Sequence, residues 1–295
     1  MLPFYTADQL DQLPAGARLG VIGNPIAHSK SPQMQQPALD AAGIPARYVR
    51  LLAGTEEGAF EALLGQLADR VFIGVNVTVP FKKRAHDAAV SRDPLAQLSG
   101  AVNTLVRRAD GWHGYNTDGP GFSRAIEECF DRPLRELRVL IMGACGGAGS
   151  ALACQCALEQ CPALTLVNRP RPELEQLAAQ LKQHTAAPVT PLHFDSPELP
   201  EAVAEADLIV NATSLGLHEG DPMPLPPELL QPGQCVYDIV THETALHRTA
   251  TARGCRAATG QGMLLWQGAI AFEHWFARTP DVRQMKSGLY GEESH

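Results

Sequence analysis

Short apolar segments alternate with segments of helical periodicity along most of the chain, and this alternation predicts an α/β fold. For the first 117 residues we predict three strands, three helices and a hairpin. The strands are Arg18–Gly23, Arg47–Leu52 and Val71–Val79, the helices are Ser31–Ala42, Glu56–Ala68 and Lys83–Val90, and the hairpin arms are Ala101–Arg107 and Trp112–Tyr115.

From residue 118 onward, six short apolar runs suit the strands of a buried parallel sheet. They are Arg138–Met142, Leu164–Val167, Val189–Phe194, Leu208–Asn211, Cys235–Val240 and Cys255–Ala258. A helical stripe lies between the second and third runs, within Pro172–His184, and an amphipathic helix follows the last run at Met263–Arg278. Strands and helices in this order predict a doubly wound sheet of the Rossmann type.

Chain length and the order of elements predict two domains. We place the first, an α/β domain, at residues 1–117 and expect the C-terminal helical segment 262–295 to complete it. The second, Rossmann-type domain is predicted at residues 118–261. Ligand pockets are common where two domains meet, so we expect the functional site there.

Composition narrows the classes of partner. The formal net charge of −8 disfavours nucleic acid, and no apolar run approaches the ~20 residues of a membrane span. The N-terminal segment lacks a secretory signal, so a cytoplasmic location is predicted. The seven cysteines form no Cys-x-x-Cys pair, and His242 and His247 are five residues apart, one more than a zinc-binding helix requires. We therefore predict reduced thiols and no metal site.

A first polar segment follows the strand Arg18–Gly23 and contains Ser29 and Ser31. Side chains two residues apart in an extended segment point the same way. The two serines can therefore offer two hydroxyl groups to one carboxylate.

A second polar segment lies near the end of the strand Val71–Val79. Asn76 and Thr78 alternate with valines that we expect to face a core, and Lys82 follows closely enough to reach over the polar face. The predicted core-facing residues are Val75, Val77 and Val79. Together with the serines, these groups suit a small, hydroxylated, anionic ligand.

A glycine turn follows the strand Arg138–Met142 and precedes a predicted helix. Glycines let the backbone approach a pyrophosphate, whose charge a helix N-terminus favours, although glycines also serve ordinary tight turns. The predicted cofactor contacts in this turn are Gly143, Ala144, Gly146, Gly147 and Ala148.

The next strand ends in Asn168-Arg169-Pro170-Arg171, where proteins that bind NAD usually carry an acidic residue. Guanidinium groups suit the 2′-phosphate of NADP, so we predict cofactor contacts at Asn168, Arg169 and Arg171 and NADP rather than NAD as cofactor. The alternative is a solvated basic turn.

Three further polar residues are candidates for ligand binding. Asn103 lies on the polar face of a predicted strand. Asp118 precedes Pro120 and an apolar helix, so it also has the features of a helix N-cap. Gln267 interrupts an apolar helical stripe and can equally satisfy a buried backbone group.

Taken together, these segments resemble the shikimate dehydrogenase family. The matching motifs span residues 23–267 and occur in the family's order. They are Gly-Asn-Pro-Ile-Ala-His-Ser-Lys-Ser-Pro, Asn-Val-Thr-Val-Pro-Phe-Lys, Gly-Ala-Val-Asn-Thr, Asn-Thr-Asp-Gly, the glycine turn, Asn168-Arg169, Asn211-Ala212-Thr213-Ser214 and Gly-Met-Leu-Leu-Trp-Gln.

The resemblance implies a role for each matching position. Ser29 and Ser31 would hold a substrate carboxylate, and Lys82, paired with Asp118, would transfer a proton. The ring hydroxyls would be bound by Asn76, Thr78, Asn103, Asp118 and Gln267, and the further cofactor contacts would be Thr213 and Gly260. The implied reaction is the reversible, NADPH-dependent reduction of 3-dehydroshikimate to shikimate in chorismate and aromatic amino-acid biosynthesis.

The sequence departs from the family pattern in two places. Cys145 replaces or extends the glycine turn, where its side chain is expected to crowd the pyrophosphate. After Val240 the family usually has Tyr-x-Pro, but here the connection continues with Thr241 and is two residues shorter. No role is carried over to Thr241.

Two alternatives follow from the same resemblance. One is a relative that acts on quinate or aminoshikimate, and the other is a sensor of the same fold that binds such a metabolite without turnover. The Lys82–Asp118 pair disfavours the sensor because binding alone does not require proton transfer. The expected partner is a small-molecule substrate, and the protein is expected to be a monomer or a homodimer.

Overall fold

The structure, a computed structural model, describes residues 4–291, and these residues form two compact units. The first unit takes in the described residues up to Thr117 together with those from Gln267 onward, and the second is Asp118–Trp266. Each unit is built on one sheet, so the predicted α/β fold is confirmed.

Thirteen strands form the two sheets of the described chain. They are β1 (Phe4–Tyr5), β2 (Ala17–Gly23), β3 (Arg47–Leu52), β4 (Gly74–Val77), β5 (Ser91–Arg92), β6 (Thr104–Arg108), β7 (Gly111–Tyr115), β8 (Arg138–Met142), β9 (Ala163–Asn168), β10 (Val189–His193), β11 (Leu208–Asn211), β12 (Cys235–Asp238) and β13 (Arg256–Thr259).

Eleven α-helices lie between or after these strands in residues 4–291. They are α1 (Ser31–Ala41), α2 (Ala59–Asp69), α3 (Lys82–Ala88), α4 (Pro94–Ser99), α5 (Asp118–Phe130), α6 (Gly147–Leu158), α7 (Pro172–Leu181), α8 (Leu199–Glu205), α9 (Ala245–Ala252), α10 (Gln261–Phe276) and α11 (Val282–Tyr290).

The sheet of the first unit has the strand order β1-β3-β2-β4-β6-β7-β5. Strands β1 to β4 pair in parallel, and β6 runs antiparallel to both β4 and β7. Alternation along β4 buries Val75 and Val77 in the core and leaves Asn76 on the opposite face. Helix α2 packs on this core through an apolar stripe at helical spacing: Phe60, Leu63, Leu64 and Leu67.

The sheet of the second unit is entirely parallel, with the order β10-β9-β8-β11-β12-β13. Counted from β8, this is the order 3-2-1-4-5-6 of the Rossmann fold. The strand order reverses between β8 and β11, and ligands of such sheets bind outside the carboxyl ends of the strands at that point. The fold therefore predicts a ligand site at the loops that follow β8, β9 and β11.

Several predicted boundaries differ from the structure. Strand β4 ends at Val77, so Val79 is not a core residue but is 67% exposed. The chain turns there because the amide of Phe81 bonds back to the carbonyl of Thr78 at 2.9 Å. Helix α5 begins at Asp118 itself, so the N-cap position belongs to Thr117 and not to Asp118. Helix α11 was not predicted.

Residues 4–291 contain neither a helix suited to crossing a membrane nor a side-chain cluster suited to a metal ion. No helix in this range has the length and apolar character needed to cross a bilayer. No group of three or more His, Cys, Asp or Glu side chains in the same range is arranged to hold a metal ion. All seven cysteines are free.

The packing of Trp275 against β4 yields a stability prediction. The indole Nε1 of Trp275 donates to the carbonyl of Leu105 at 3.1 Å, and this bond lies directly over Gly74. An added Cβ at Gly74 would lie 2.6 Å from that carbonyl oxygen. We expect Gly74→Ala to lower the free energy of unfolding by about 1–3 kcal/mol, as overpacked cores do.

The matched control is Gly65→Ala in the exposed face of α2, where a Cβ would contact nothing. It should raise the unfolding free energy by about 0.5–1 kcal/mol because alanine favours a helix. Urea unfolding followed by circular dichroism measures both changes. A Gly74→Ala protein as stable as the wild type would contradict the packing described here.

Candidate active site

The two serines predicted to bind a carboxylate lie at the entry to helix α1 in the first unit. Their hydroxyl oxygens are 3.2 Å apart, and the amide of Ser31 bonds to Ser29 Oγ at 3.3 Å. Both serines are half-buried, whereas Lys30 between them is exposed. Ser31 is the first residue of α1, and the N-terminus of a helix favours a negative charge. The structure thus places two hydroxyls together at a position suited to an anion.

Asn76 is the centre of a buried polar network in the same unit. It is 6% exposed, and its Oδ1 accepts a hydrogen bond from the hydroxyl of Tyr48 at 2.7 Å. Its Nδ2 donates to Thr104 Oγ1 at 3.0 Å. Because both ends of the amide are held, the orientation of Asn76 is set before any ligand binds.

Asn103 has a structural role that the sequence did not predict, because both ends of its amide are bonded to Thr117. Its Oδ1 accepts from the amide of Thr117 at 2.8 Å, and its Nδ2 donates to Thr117 Oγ1 at 3.0 Å. Asn103 is also 4% exposed. The Asn103 side chain therefore fixes the position of Thr117, the last residue before the chain enters the second unit. A role of Asn103 in binding ring hydroxyls stays a prediction.

The remaining predicted substrate residues occupy the ends of helices or strands. Thr78 follows β4 and is half-buried, with its amide bonded to the carbonyl of Ile22 at 2.9 Å. Lys82 is the half-buried first residue of α3, and Gln267 lies in α10. Asp118 opens α5 in the second unit, so its pairing with Lys82 stays a prediction.

The glycine turn joins β8 to α6 in the second unit. Gly143 has a left-handed φ of +79°, and a Cβ there would lie 2.8 Å from the carbonyl oxygen of Ala212. The amide of Gly143 bonds to the carbonyl of Val167 at 2.8 Å, and Gly146 is the N-cap of α6. A glycine is required at 143 on both conformational and steric grounds.

The first turn of α6 fits a bound pyrophosphate. A Cβ built at Gly147 would meet no atom within 4 Å, so the space beside this backbone is open to a ligand. Amides at a helix N-terminus favour a phosphate group there. Ala144 is buried, and Ala148 lies in the first turn of the helix. Cys145 is half-buried, which raises the pKa of its thiol.

Asn168 and the arginines after it have different environments. Asn168 is buried; its Oδ1 accepts from the amide of Cys145 at 3.4 Å, and its Nδ2 donates to the carbonyl of Arg169 at 3.0 Å. Asn168 therefore connects the glycine turn to the loop after β9. Arg169 and Arg171 are exposed at the carboxyl end of β9, where a dinucleotide-binding sheet reads the ribose.

The loop after β11 is fixed by a second polar network. Asn211 Oδ1 accepts from Thr213 Oγ1 at 2.7 Å, and Asn211 Nδ2 donates to Asp238 Oδ1 at 3.0 Å. Thr244 Oγ1 donates to Asp238 Oδ2 at 2.6 Å. Burial raises the pKa of Asp238, while its hydrogen bonds act in the opposite direction. Thr213 is thereby positioned in the loop, half-buried beside the predicted cofactor surface.

Gly260 and the short connection after β12 complete this end of the second unit. Gly260 is buried, and a Cβ there would collide with the carbonyl of Ile239, so its position demands glycine for packing. His242 contacts the carbonyl of Gly216 at 3.0 Å, and both residues line a cavity of about 270 Å³. The shortened connection thus borders open space.

Two polar residues of β3 near the serine pair were not predicted from the sequence. Tyr48 and Arg50 are 6% and 2% exposed, and both contact the groups around Ser29 and Ser31. The available signal was a tyrosine and an arginine two residues apart in a strand whose other residues are apolar after the exposed Arg47 at its start. Their hydrogen-bond partners lie 17 to 28 residues away along the chain, so the pattern of β3 alone did not identify them.

The second unit is a Rossmann sheet with an open glycine turn and with arginines after its second strand, and the separate α/β unit carries a buried polar network beside two serine hydroxyls. These features define a nicotinamide-dependent dehydrogenase. Residues 21–105 match the family model described as the shikimate dehydrogenase substrate binding domain. Residues 260–287 match the one described as the shikimate 5'-dehydrogenase C-terminal domain.

Relatives similar to this chain over most of its length belong to the same class. A shikimate dehydrogenase (NADP(+)) of Anaeromyxobacter dehalogenans is 40% identical over 282 residues, which cover 94% of this chain and 97% of the relative. The crystal structure of shikimate 5-dehydrogenase from Listeria monocytogenes, in complex with shikimate and NAD, has a TM-score of 0.86 at 30% identity and covers 95% of this chain and 98% of that chain.

The enzyme from Thermus thermophilus, solved in complex with NADP(H) and shikimate, has a TM-score of 0.81 at 34% identity and covers 92% of this chain and 98% of that chain. The chain belongs to the shikimate dehydrogenase family. The resemblance stated from the sequence motifs is thereby confirmed.

The exposed arginines after β9 predict cofactor preference. We expect kcat/KM to be higher with NADP than with NAD, and Arg169→Ala to reduce this preference by about 1.5–3 kcal/mol, the strength of a hydrogen bond to a charged group. The control is Arg135→Ala, an exposed arginine before β8 at the opposite end of the sheet. Equal efficiency of the two cofactors in the wild type would refute the assignment.

Proposed function

We propose that this protein catalyses the reversible, NADPH-dependent reduction of 3-dehydroshikimate to shikimate. The observation that carries the proposal is the pair of serine hydroxyls, 3.2 Å apart, at the N-terminus of α1 beside the buried Asn76 network. A carboxylate and ring hydroxyls are the groups that such a surface binds. Homologous enzymes named for NADP(+) and shikimate support the same reaction.

The serine pair would hold the substrate carboxylate, with α1 contributing the positive end of its dipole. Asn76, held by Tyr48 and Thr104, would present its amide to a ring hydroxyl without reorientation. Thr78 would bind a second hydroxyl from the turn after β4. Asn103, Asp118 and Gln267 are proposed as the other hydroxyl-binding residues.

Lys82 is the proposed proton donor for reduction. When hydride reaches the carbonyl carbon, the carbonyl oxygen gains a negative charge and requires a proton. The ammonium group of Lys82 would supply that proton, and Asp118 would stabilise the charged lysine beforehand. In the reverse direction the neutral amine would accept the hydroxyl proton.

NADPH supplies the hydride when it is bound. Gly143, Gly146 and Gly147, with Ala144 and Ala148, would accommodate its pyrophosphate at the start of α6. The 2′-phosphate would be bound by Arg169 and Arg171, and Asn168 would hold the adjoining loops. Thr213 and Gly260 are the proposed contacts farther along the cofactor.

The short connection between Val240 and Thr244 favours one second candidate, a dehydrogenase for a substrate related to shikimate, such as quinate or aminoshikimate. This connection lacks the tyrosine of relatives and borders a cavity of about 270 Å³. We also propose a cytoplasmic location, which seven free thiols fit. A monomer or a homodimer is the proposed assembly.

Substitution of Lys82 tests the catalytic assignment. We expect Lys82→Ala to lower kcat by about 100-fold or more, because a general acid and base is lost. Lys83→Ala is the matched control, since Lys83 is exposed and its ion pair with Asp87, at 2.8 Å, lies on the surface. Steady-state assays on folded variants decide the question, and a near-normal kcat in Lys82→Ala would remove this lysine from the mechanism.

Substrate preference separates the two candidate functions. Quinate carries one more hydroxyl on the carbon that bears its carboxylate, and the two serines leave that hydroxyl poorly paired. We expect kcat/KM for shikimate to exceed that for quinate by about 10–100-fold, since pockets reject an added hydroxyl only moderately. Reduction of NADP with each substrate measures the ratio, and equal efficiencies would favour the second candidate.

A further inference from the structure

Strand β3 presents two buried polar side chains to the serine loop. Tyr48 and Arg50 are two residues apart, so they share one face of the strand. They are 6% and 2% exposed. Burying a tyrosine and an arginine costs more free energy than burying an apolar pair. The presence of both on this face therefore indicates a function that apolar side chains could not perform.

The guanidinium of Arg50 is hydrogen-bonded to the backbone of Ser29. Its Nε donates to the carbonyl oxygen of Ser29 at 2.9 Å, and its Nη2 contacts the same oxygen. Nη2 also donates to Gln33 Oε1 at 3.1 Å. Since the carbonyl and hydroxyl oxygens of one residue are only a few bonds apart, the guanidinium is within roughly 8 Å of Ser29 Oγ. Arginine remains charged at any working pH.

Tyr48 performs a different task on the same face. Its hydroxyl lies beside the side chain of Ser31 and donates to Asn76 Oδ1 at 2.7 Å. It therefore sets the spacing between the serine pair and the amide. Tyr48 carries no charge in this role, whereas Arg50 brings a full positive charge to the serine loop.

We propose that Arg50 is the charge that makes the serine pair specific for a carboxylate, and that Tyr48 is the neutral positioning residue which aligns this pair with Asn76. The inference rests on the proposed binding of the substrate carboxylate by Ser29 and Ser31. Arg50 acts through the electric field of its guanidinium, which distinguishes a charged substrate from an uncharged one. Lys30, although nearer in sequence, is exposed to solvent and screened.

The test compares shikimate with its uncharged methyl ester as substrates, with NADP in excess. For each protein the informative quantity is the KM for the ester divided by the KM for shikimate. We expect Arg50→Met to reduce this ratio by about 10–50-fold, because a buried charge acts strongly over this distance. The KM for shikimate should rise while the KM for the ester and kcat change little.

Three variants separate charge from structure. Arg50→Lys keeps the charge and should hold the ratio within about threefold of the wild type. Tyr48→Phe should raise both KM values together, because a lost hydrogen bond is felt by both substrates. Lys30→Met should leave the ratio within about threefold, because exposed charges are screened.

The outcomes decide the proposal. A parallel rise of both KM values in Arg50→Met, or an unchanged KM for shikimate, would show a purely structural role and overturn it. A ratio that collapses in Lys30→Met would also overturn it. If Arg50→Met does not fold, the ratio of the two KM values in Arg50→Lys alone decides the proposal. A large fall of this ratio in Arg50→Lys, which keeps the positive charge, would refute the proposed role of the charge. Failure of the proposed function is recognised separately, as absence of shikimate oxidation by the wild type.

Discussion

A buried polar side chain without a hydrogen-bond partner costs about 1–3 kcal/mol, and the loops of both units are arranged around this constraint. In the second unit β9, β11 and β12 end in buried polar residues, which are Asn168, Asn211 and Asp238. Each of them bonds to the loop that follows it: Asn168 to the carbonyl of the next residue, Asn211 to that of Leu215 and Asp238 to the amide of Val240. The requirement for partners therefore gives these loops their shape.

The same constraint operates in the first unit. Asn76 is satisfied by Tyr48 on one side and by Thr104 on the other, and Thr104 in turn donates to Asn103 at 3.1 Å. Such a network has few alternative arrangements, because the loss of any member leaves another buried group unpaired. Asn76 and Asn103 are thus preorganised, and their side chains have little conformational entropy left to lose on binding.

Sequence patterns predicted the parts of this fold that depend on local periodicity. Strands such as Arg47–Leu52 and Arg138–Met142 have the predicted bounds, because apolar runs flanked by turns read directly as buried strands. The exposure of Val79 was not predictable from alternation, since the strand had already ended two residues earlier. The bonds of Arg50 to the loop near Ser29 and of Asn103 to Thr117 are long-range or specific to one geometry, and no periodicity encodes them.

The chain path of the first unit has a consequence for synthesis. Its sheet is encoded before Thr117, but α11, which packs on α1, and Trp275, which covers Gly74, are encoded after the whole second unit. During translation from the N-terminus, the seven strands and α1 emerge before Trp275 and α11, which pack on them. The second unit is continuous and can form its core as it emerges. The nascent first unit therefore exposes apolar surface until the C-terminal residues that cover it have been synthesised.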